Sequence, residues 1–377
     1  MIVGCVAEVK SDEYRVGLRP VGAELLMRDK HRVLVQTGAG LGSGYRDEDY
    51  EKAGATIVKT AAEVWGQADL VVKVKEPQPK EIPMMRKGQQ LFTYFHFAAD
   101  KELTIGCLNS GITAIVYETL EQPAPGGRFT LPLLTPMSEV AGKMSVQEGA
   151  KYLERPQGGR GILLGGVTGV PPANVLVLGG GVVGINAARM AAGLGAHVTV
   201  TDINLDRLRY LDEVMPANVT PTFSDPHMIR EAIKVSDLVV GGVLISGAKA
   251  PHLITKKELS TMMPGSVIVD VSIDQGGCVE TSRPTTHKDP IYTVDGIIHY
   301  CVANIPGAVP RTSTMALTNA TLPWLLRIAN EGAMNLAKND VGFAMAINMD
   351  GGRLYNRSVA EAHGLETVKA PFPMREN

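Results

Sequence analysis

The feature that most narrows what this chain can fold into is a glycine turn. The apolar run NVLVL, residues 174–178, is followed by Gly179, Gly181 and Gly184 in G-x-G-x-x-G spacing. A lone match of this kind is weak, because glycine-rich turns are common. Three further conditions hold here. The turn follows a predicted strand, it opens an apolar helix bearing Ala187, Ala188 and Ala191, and Asp202 ends the next predicted strand 18 residues past Gly184. Each position has its own physics: one glycine makes the turn, one lets a pyrophosphate approach the backbone, and one lets helix and strand pack closely. The helix amino terminus then offers N–H groups to phosphate. Asp202 can accept from ribose hydroxyls, and its charge repels a 2′-phosphate, which favours NAD over NADP. Arg207 and Arg209 come late enough to read as helix surface. The plainer account is a tight strand–helix junction in which Asp202 caps the next helix; it explains fewer of these coincidences.

The same turn lies in an uncharged passage of 28 residues, 161–188, long enough on paper to span a bilayer. It holds eight glycines, with Pro171 and Pro172 adjacent at its middle. Such a sequence breaks a helix and leaves backbone groups unsatisfied in lipid. It reads instead as a loop, a buried strand and a tight turn into a helix, so no membrane association is expected. The start, MIVGCVAEVKSDEYR, lacks the basic and long apolar regions of a secretory signal. Cys5, Cys107, Cys278 and Cys301 are far apart, with no zinc spacing, which argues against a disulfide framework or metal site and for a reducing cytoplasm. The 37 basic and 39 acidic residues nearly cancel, and no segment is basic enough for a nucleic-acid footprint. Glycine is in excess, 41 of 377 residues, without a collagen period.

Short β-branched runs alternate with helical stretches from the start, as in α/β units. MIVGCVA and HRVLVQTG read as strands around the helix PVGAELLMRD; ADLVVKVKE, QQLFTYFHF and GITAIVYET continue the series. Near Pro136 and Ser138 a long helix begins, with Glu139 in its first turn, and it links two domains. Beyond the glycine turn, HVTVTD, SDLVVGGV, SVIVDVSID and IIHYCVAN are consistent with a parallel sheet. After Pro310 the chain turns helical. We therefore expect an α/β protein of two Rossmann-like doubly wound domains with a cleft between them. One comprises residues 133–310 and binds NAD; the other comprises 1–132 and 311–377, carries substrate, and is completed by C-terminal helices.

Three places bring cationic or titratable groups to strand ends. Arg15 follows the first strand in EYRVGLRP. Lys73 and Lys75 alternate in VVKVKEP, and one is expected to face inward if the other faces out. His96 interrupts the apolar run FTYFHFAA. Singly, each has an ordinary account: a solvated charge for Arg15 and Lys75, a hydrogen-bonded core histidine for His96. Together they form an anion clamp with an acid/base group, since Arg grips a carboxylate bidentately and His exchanges protons near neutral pH. In VIVDVSIDQGG, Asp270 and Asp274 share a strand face by parity, and Asp274, beside Gly276 and Gly277, is the better site candidate. As a simple turn-former Asp274 is equally well explained. Asn304 sits comparably in HYCVANIPG.

At these residues the chain resembles the alanine dehydrogenase and transhydrogenase alpha-subunit family, along nearly its whole length. The resemblance is carried by RVGLRP, GAG-x-GSGY, VKVKEP, LFTYFHFAA, PLLTPMSEVAGKMS, QGGRGILLGGVTGVPPANVLVLGGGVVG, TDIN, GAKAPHLI, SIDQGGC, SRPTTH and YCVANIPGAVPRTST. It implies an NAD-dependent alanine dehydrogenase that interconverts L-alanine with pyruvate and ammonium. Arg15 and Lys75 would hold the pyruvate carboxylate, and His96 would bind its carbonyl oxygen. Asp274 would be the acidic group beside the imine carbon. Ser138 and Asn304 would line the nicotinamide pocket, and Gly179, Gly181, Gly184 and Asp202 would hold the dinucleotide. A homohexamer is implied as well. Two rivals stand beside this reading: an NAD(H)-binding transhydrogenase-like subunit, and a catalytically silent NAD-sensing protein. The presence of Arg15, Lys75, His96 and Asp274 argues against both. The segment EQPAPGGRF before Thr130 reads as a lengthened surface turn.

Overall fold

In the computed structural model, residues 1–124, 128–243 and 250–375 are described. Residues 125–127 of the surface turn expected in EQPAPGGRF, and residues 244–249, which include the first three of the GAKAPHLI motif, lie outside them. The chain divides into two compact units: Met1–Met137 with Val309–Asn377, and Ser138–Ala308. The division falls inside the helix Thr135–Tyr152.

In chain order the strands are β1 (Ile2–Cys5), β2 (Arg32–Gln36), β3 (Thr56–Val58), β4 (Leu70–Val72), β5 (Gln90–Thr93), β6 (Thr113–Val116), the small hairpin β7 (Gln122–Ala124) and β8 (Arg128–Thr130), β9 (Asn174–Leu178), β10 (His197–Asp202), β11 (Val219–Phe223), β12 (Leu238–Gly241), β13 (Val267–Asp270), β14 (Ile291–Val294), β15 (Ile297–Tyr300), β16 (Ile347–Asp350) and β17 (Arg353–Leu354). The first unit's sheet has the order β17-β16-β6-β5-β4-β1-β2-β3, and the second's β11-β10-β9-β12-β13-β15-β14. In each, six parallel strands follow the doubly wound order 3-2-1-4-5-6. Such strands carry helices on both faces, so they read as unbroken apolar runs. Val175, Leu176, Val177 and Leu178 of β9 are all at most 2% exposed.

Seven of these strands escaped the sequence reading: the short β7, β8 and β17, and four others for physical reasons of their own. β3 has only three residues. β11 contains Pro221, which is tolerated because this is the sheet's edge strand. β14 and β16 are antiparallel additions. The carboxyl-terminal region therefore supplies more than helices: Ile347 and Met349 of β16 are buried against β6, and β17 pairs with β16. Nothing local in INMD reveals a partner more than 200 residues away in sequence.

The uncharged passage resolves into a loop, β9, the glycine turn and the helix Val182–Gly193. Among the described residues, no helix is long and apolar enough to cross a membrane. The long helix starts at Thr135, so Ser138 lies within its first turn. All four cysteines are buried free thiols.

Candidate active site

In the first unit, chemistry gathers at the carboxyl edge of the sheet, around the point where the strand order reverses between β1 and β4. Arg15 lies beyond β1, Lys75 beyond β4, and His96 beyond β5. Neither Arg15 nor Lys75 is a solvated charge, being 2% and 9% exposed. Arg15 donates to Glu13 through Nε at 2.6 Å and Nη2 at 2.5 Å, and Nη1 lies 2.9 Å from Met137 Sδ. Burial alone would push Glu13 upward, but the hydrogen bonds and charge of Arg15 hold it below the usual carboxylate range.

Lys73 and Lys75 do not split between inside and outside. Residues two apart on an extended chain share a side, and both are buried. Lys73 donates to Glu8 at 3.1 Å and Glu81 at 2.9 Å, and those carboxylates hold its ammonium above its ordinary value against the opposing effect of burial. It is a structural ion triad, which leaves Lys75 as the lysine of the site.

His96 is not a core residue; its side chain keeps access to solvent. Desolvation by the surrounding chain, with the positive charges of Lys75, Lys10 and Arg15, pushes it down to about 3. The exposed edge tempers the desolvation, but the three cations by themselves fix the direction, so the imidazole is neutral at neutral pH. Its ring is stacked on Tyr94 at a centroid distance of 5.9 Å, and Tyr94 is anchored by its hydroxyl to Leu133 O at 2.5 Å. The backbone of His96 is left-handed, φ 53°, which costs a non-glycine residue about 1 kcal/mol. The turn that follows is fastened by the carboxyl-terminal helix Arg357–His363, whose His363 ring nitrogen lies 2.7 Å from Phe97 O.

In the second unit the glycine turn connects β9 to the helix Val182–Gly193. The turn has the clearances that a dinucleotide-type turn needs: a Cβ at Gly181 would meet no protein atom within 4 Å, whereas one at Gly184 would lie 1.8 Å from Gly179 O. Gly181 is therefore open to a ligand, and Gly184 lets helix and strand close on each other. Asp202, at the end of β10, accepts from Gly180 N at 2.9 Å and Asn204 N at 2.8 Å. Asn204, not Asp202, caps the next helix, accepting from Asp206 N and Arg207 N. Arg207 is not merely helix surface: its guanidinium folds back onto the Gly180 carbonyl. Arg209 does stay outside, paired with Asp206 at 2.6 Å.

Not every glycine nearby serves a ligand. A Cβ at Gly159 would lie 2.2 Å from Tyr152 O, and one at Gly165 2.4 Å from Leu194 O. In this loop the clearance is for the protein's own backbone.

Asp270 and Asp274 do not share a strand face, because β13 ends at Asp270 and residues Val271–Gln275 form a 3-10 turn. Asp270 is fully buried and accepts from Cys278 N at 2.9 Å, Ser272 N at 3.1 Å and Ser282 Oγ at 2.6 Å. It clamps the turn on which Asp274 stands exposed. Asn304 follows β15 in a left-handed conformation, φ 73°, and His287 Nε2 lies 3.1 Å from its carbonyl. Among the described residues, no group of three or more His, Cys, Asp or Glu could hold a metal ion.

Sequence reasoning missed Glu13 and Glu118. The first could have been found from its spacing, two residues before Arg15. Glu118 carries no such signal, because only the pairing of β5 with β6 brings it near His96.

Two doubly wound units, one of them bearing a dinucleotide-type turn, define an α/β protein of Rossmann-like architecture. The chain belongs to the alanine dehydrogenase/PNT family: residues 4–141 match its N-terminal domain and 145–357 its C-terminal domain. It is 54% identical to the alanine dehydrogenase of Halomonas elongata over 98% of this chain and 99% of that one. With the alanine dehydrogenase of Bacillus subtilis it shares 52% identity over 100% and 98% of the two chains. A solved L-alanine dehydrogenase superposes with a TM-score of 0.92 at 48% identity, covering 97% and 99% of the chains. A transhydrogenase structure from Sinorhizobium meliloti gives 0.81 at 25% identity, covering 94% and 100%.

Proposed function

We propose that this protein is an NAD-dependent L-alanine dehydrogenase. It converts L-alanine, NAD⁺ and water reversibly to pyruvate, ammonium, NADH and a proton. The observation that carries the reading is the convergence of buried Arg15 and Lys75 with a neutral His96 on one sheet edge. Two buried cations suit a small carboxylate. A neutral imidazole beside them suits proton exchange with a carbonyl oxygen.

NAD supplies the hydride acceptor, held by Gly179, Gly181, Gly184 and Asp202, with Ser138 and Asn304 assigned to its nicotinamide end. Arg15 and Lys75 bind the substrate carboxylate and thereby orient its α-carbon. Asp274 is assigned the acidic role toward the iminium formed when the α-carbon loses hydride. Water adds to that carbon as His96 takes one of its protons; His96 gives that proton to the carbinolamine nitrogen, which leaves as ammonia, and the remaining hydroxyl proton passes to His96 as the carbonyl forms. We further assign the protein to the cytoplasm as a homohexamer, without nucleic-acid or membrane partners.

The test is NADH consumption with pyruvate and ammonium. Turnover that requires both supports the dehydrogenase. Tight NADH binding without turnover points to a transhydrogenase-like or NAD-sensing protein instead.

A further inference from the structure

Beyond the groups assigned to substrate, one half-buried carboxylate stands against the backbone of His96. We infer that Glu118 is the positioning residue of the acid/base group, holding the His96 peptide in its left-handed conformation by accepting two successive backbone N–H groups. The inference rests on His96 having the role proposed above.

Parallel pairing makes the arrangement. Thr93 of β5 is in register with Val116 of β6, so two residues further on Phe95 stands opposite Glu118. The carboxylate accepts from Phe95 N at 3.1 and 3.3 Å and from His96 N at 2.6 Å. Consecutive N–H groups converging on one point make a concavity for an anion, and here the protein fills it with its own side chain. Burial raises Glu118 to about 7, against the opposing pull of these N–H groups and of Lys75.

The segment around His96 has other fastenings, but none on the His96 N–H. Tyr94 is tied to Leu133 before it, and His363 and Thr104 meet Phe97 O after it. A left-handed φ at a non-glycine residue persists only where its surroundings hold it. Glu118 holds this one at its own peptide, and so fixes the direction in which the His96 Cα–Cβ bond leaves the chain.

Reach and charge are separable at this position. Glu118→Gln keeps the reach and an acceptor oxygen but loses the charge. Glu118→Asp keeps the charge and loses a methylene of reach. In the full-length enzyme, positioning predicts that Glu118→Gln stays within about three-fold of the parent kcat, while Glu118→Asp and Glu118→Ala lose about 10-fold or more with NADH affinity intact. In a His96→Ala background, Glu118→Asp should add less than about two-fold, because both changes act through one group. Glu118→Asp outperforming Glu118→Gln, or full additivity with His96→Ala, overturns the inference. If the parent protein does not turn over pyruvate and ammonium, the dehydrogenase reading fails instead. The ¹⁵N resonances of the His96 ring then decide the positioning: moved by Glu118→Asp but not by Glu118→Gln, they sustain it, and unmoved by both, they overturn it.

Discussion

Glu13 grips Arg15 through two guanidinium nitrogens, Nε at 2.6 Å and Nη2 at 2.5 Å, and both side chains are buried. A bidentate pair fixes the plane of the guanidinium as well as its place. The cation proposed to meet the substrate carboxylate is therefore oriented before any substrate arrives. Glu13→Ala should raise KM for pyruvate by about 10-fold or more, with kcat changed far less, because what is lost is carboxylate binding. Glu13→Gln, which keeps one acceptor, should fall between. Steady-state kinetics at saturating NADH and ammonium checks both.

His96→Ala should cut turnover by about 10²-fold or more while NADH binding survives, as measured by NADH fluorescence titration. The same residue links stability to pH. Its folded-state value, about 3, lies below the ordinary value of 6.5. Between those values the unfolded chain binds the extra proton, so stability is lost as pH falls through that window. His96→Gln removes this liability. Relative to the parent, its urea midpoint should rise between pH 7.5 and 5.5; no relative change would show that His96 is not held neutral.

Lys73 should matter to the fold and not directly to the chemistry. Glu8, Lys73 and Glu81 are each essentially buried. Removing the cation leaves two carboxylates without their shared partner. Breaking a buried pair in this way costs about 3–5 kcal/mol. Lys73→Ala should show a loss of that size in urea unfolding of the full chain, and a near-parental midpoint would refute it.

The glycine turn separates fold from binding within one motif. At Gly184 a Cβ would collide with the Gly179 carbonyl at 1.8 Å, while at Gly181 it would meet nothing within 4 Å. Gly184→Ala should therefore lower thermal stability, and Gly181→Ala should not. Gly181→Ala should instead weaken NADH binding by about 10-fold or more, because its methyl occupies the space a pyrophosphate needs. Thermal melts and NADH titration of both variants separate the two roles.

Much of this molecule could be read before any coordinates. The run NVLVL, the turn after it and Asp202 specify strand, turn, helix and strand almost unaided, because G-x-G-x-x-G spacing constrains the backbone locally. The strands around Lys75 and His96 were visible for a similar reason, being apolar runs that close on charge. Asp270 was harder to interpret. Its sequence neighbours show an apolar strand, and only the fold shows its carboxylate clamping the following turn through Ser272, Cys278 and Ser282. The edge strand β11 and the added strand β16 were missed because their strand character comes from a neighbour rather than from their own residues.

The sequence by itself determined the two doubly wound units, the dinucleotide-type turn and the residue types available for chemistry, because each depends on periodicity or spacing within a few tens of residues. The tertiary structure decided what those side chains do. It turned Lys73 to Glu8 and Glu81 and seated Arg15 on Glu13. It also carried Glu118 to the backbone of His96, 22 residues away in sequence. Such pairings are made by strands in register across a sheet and by the exclusion of water from buried charge, and neither is written in the local order of residues.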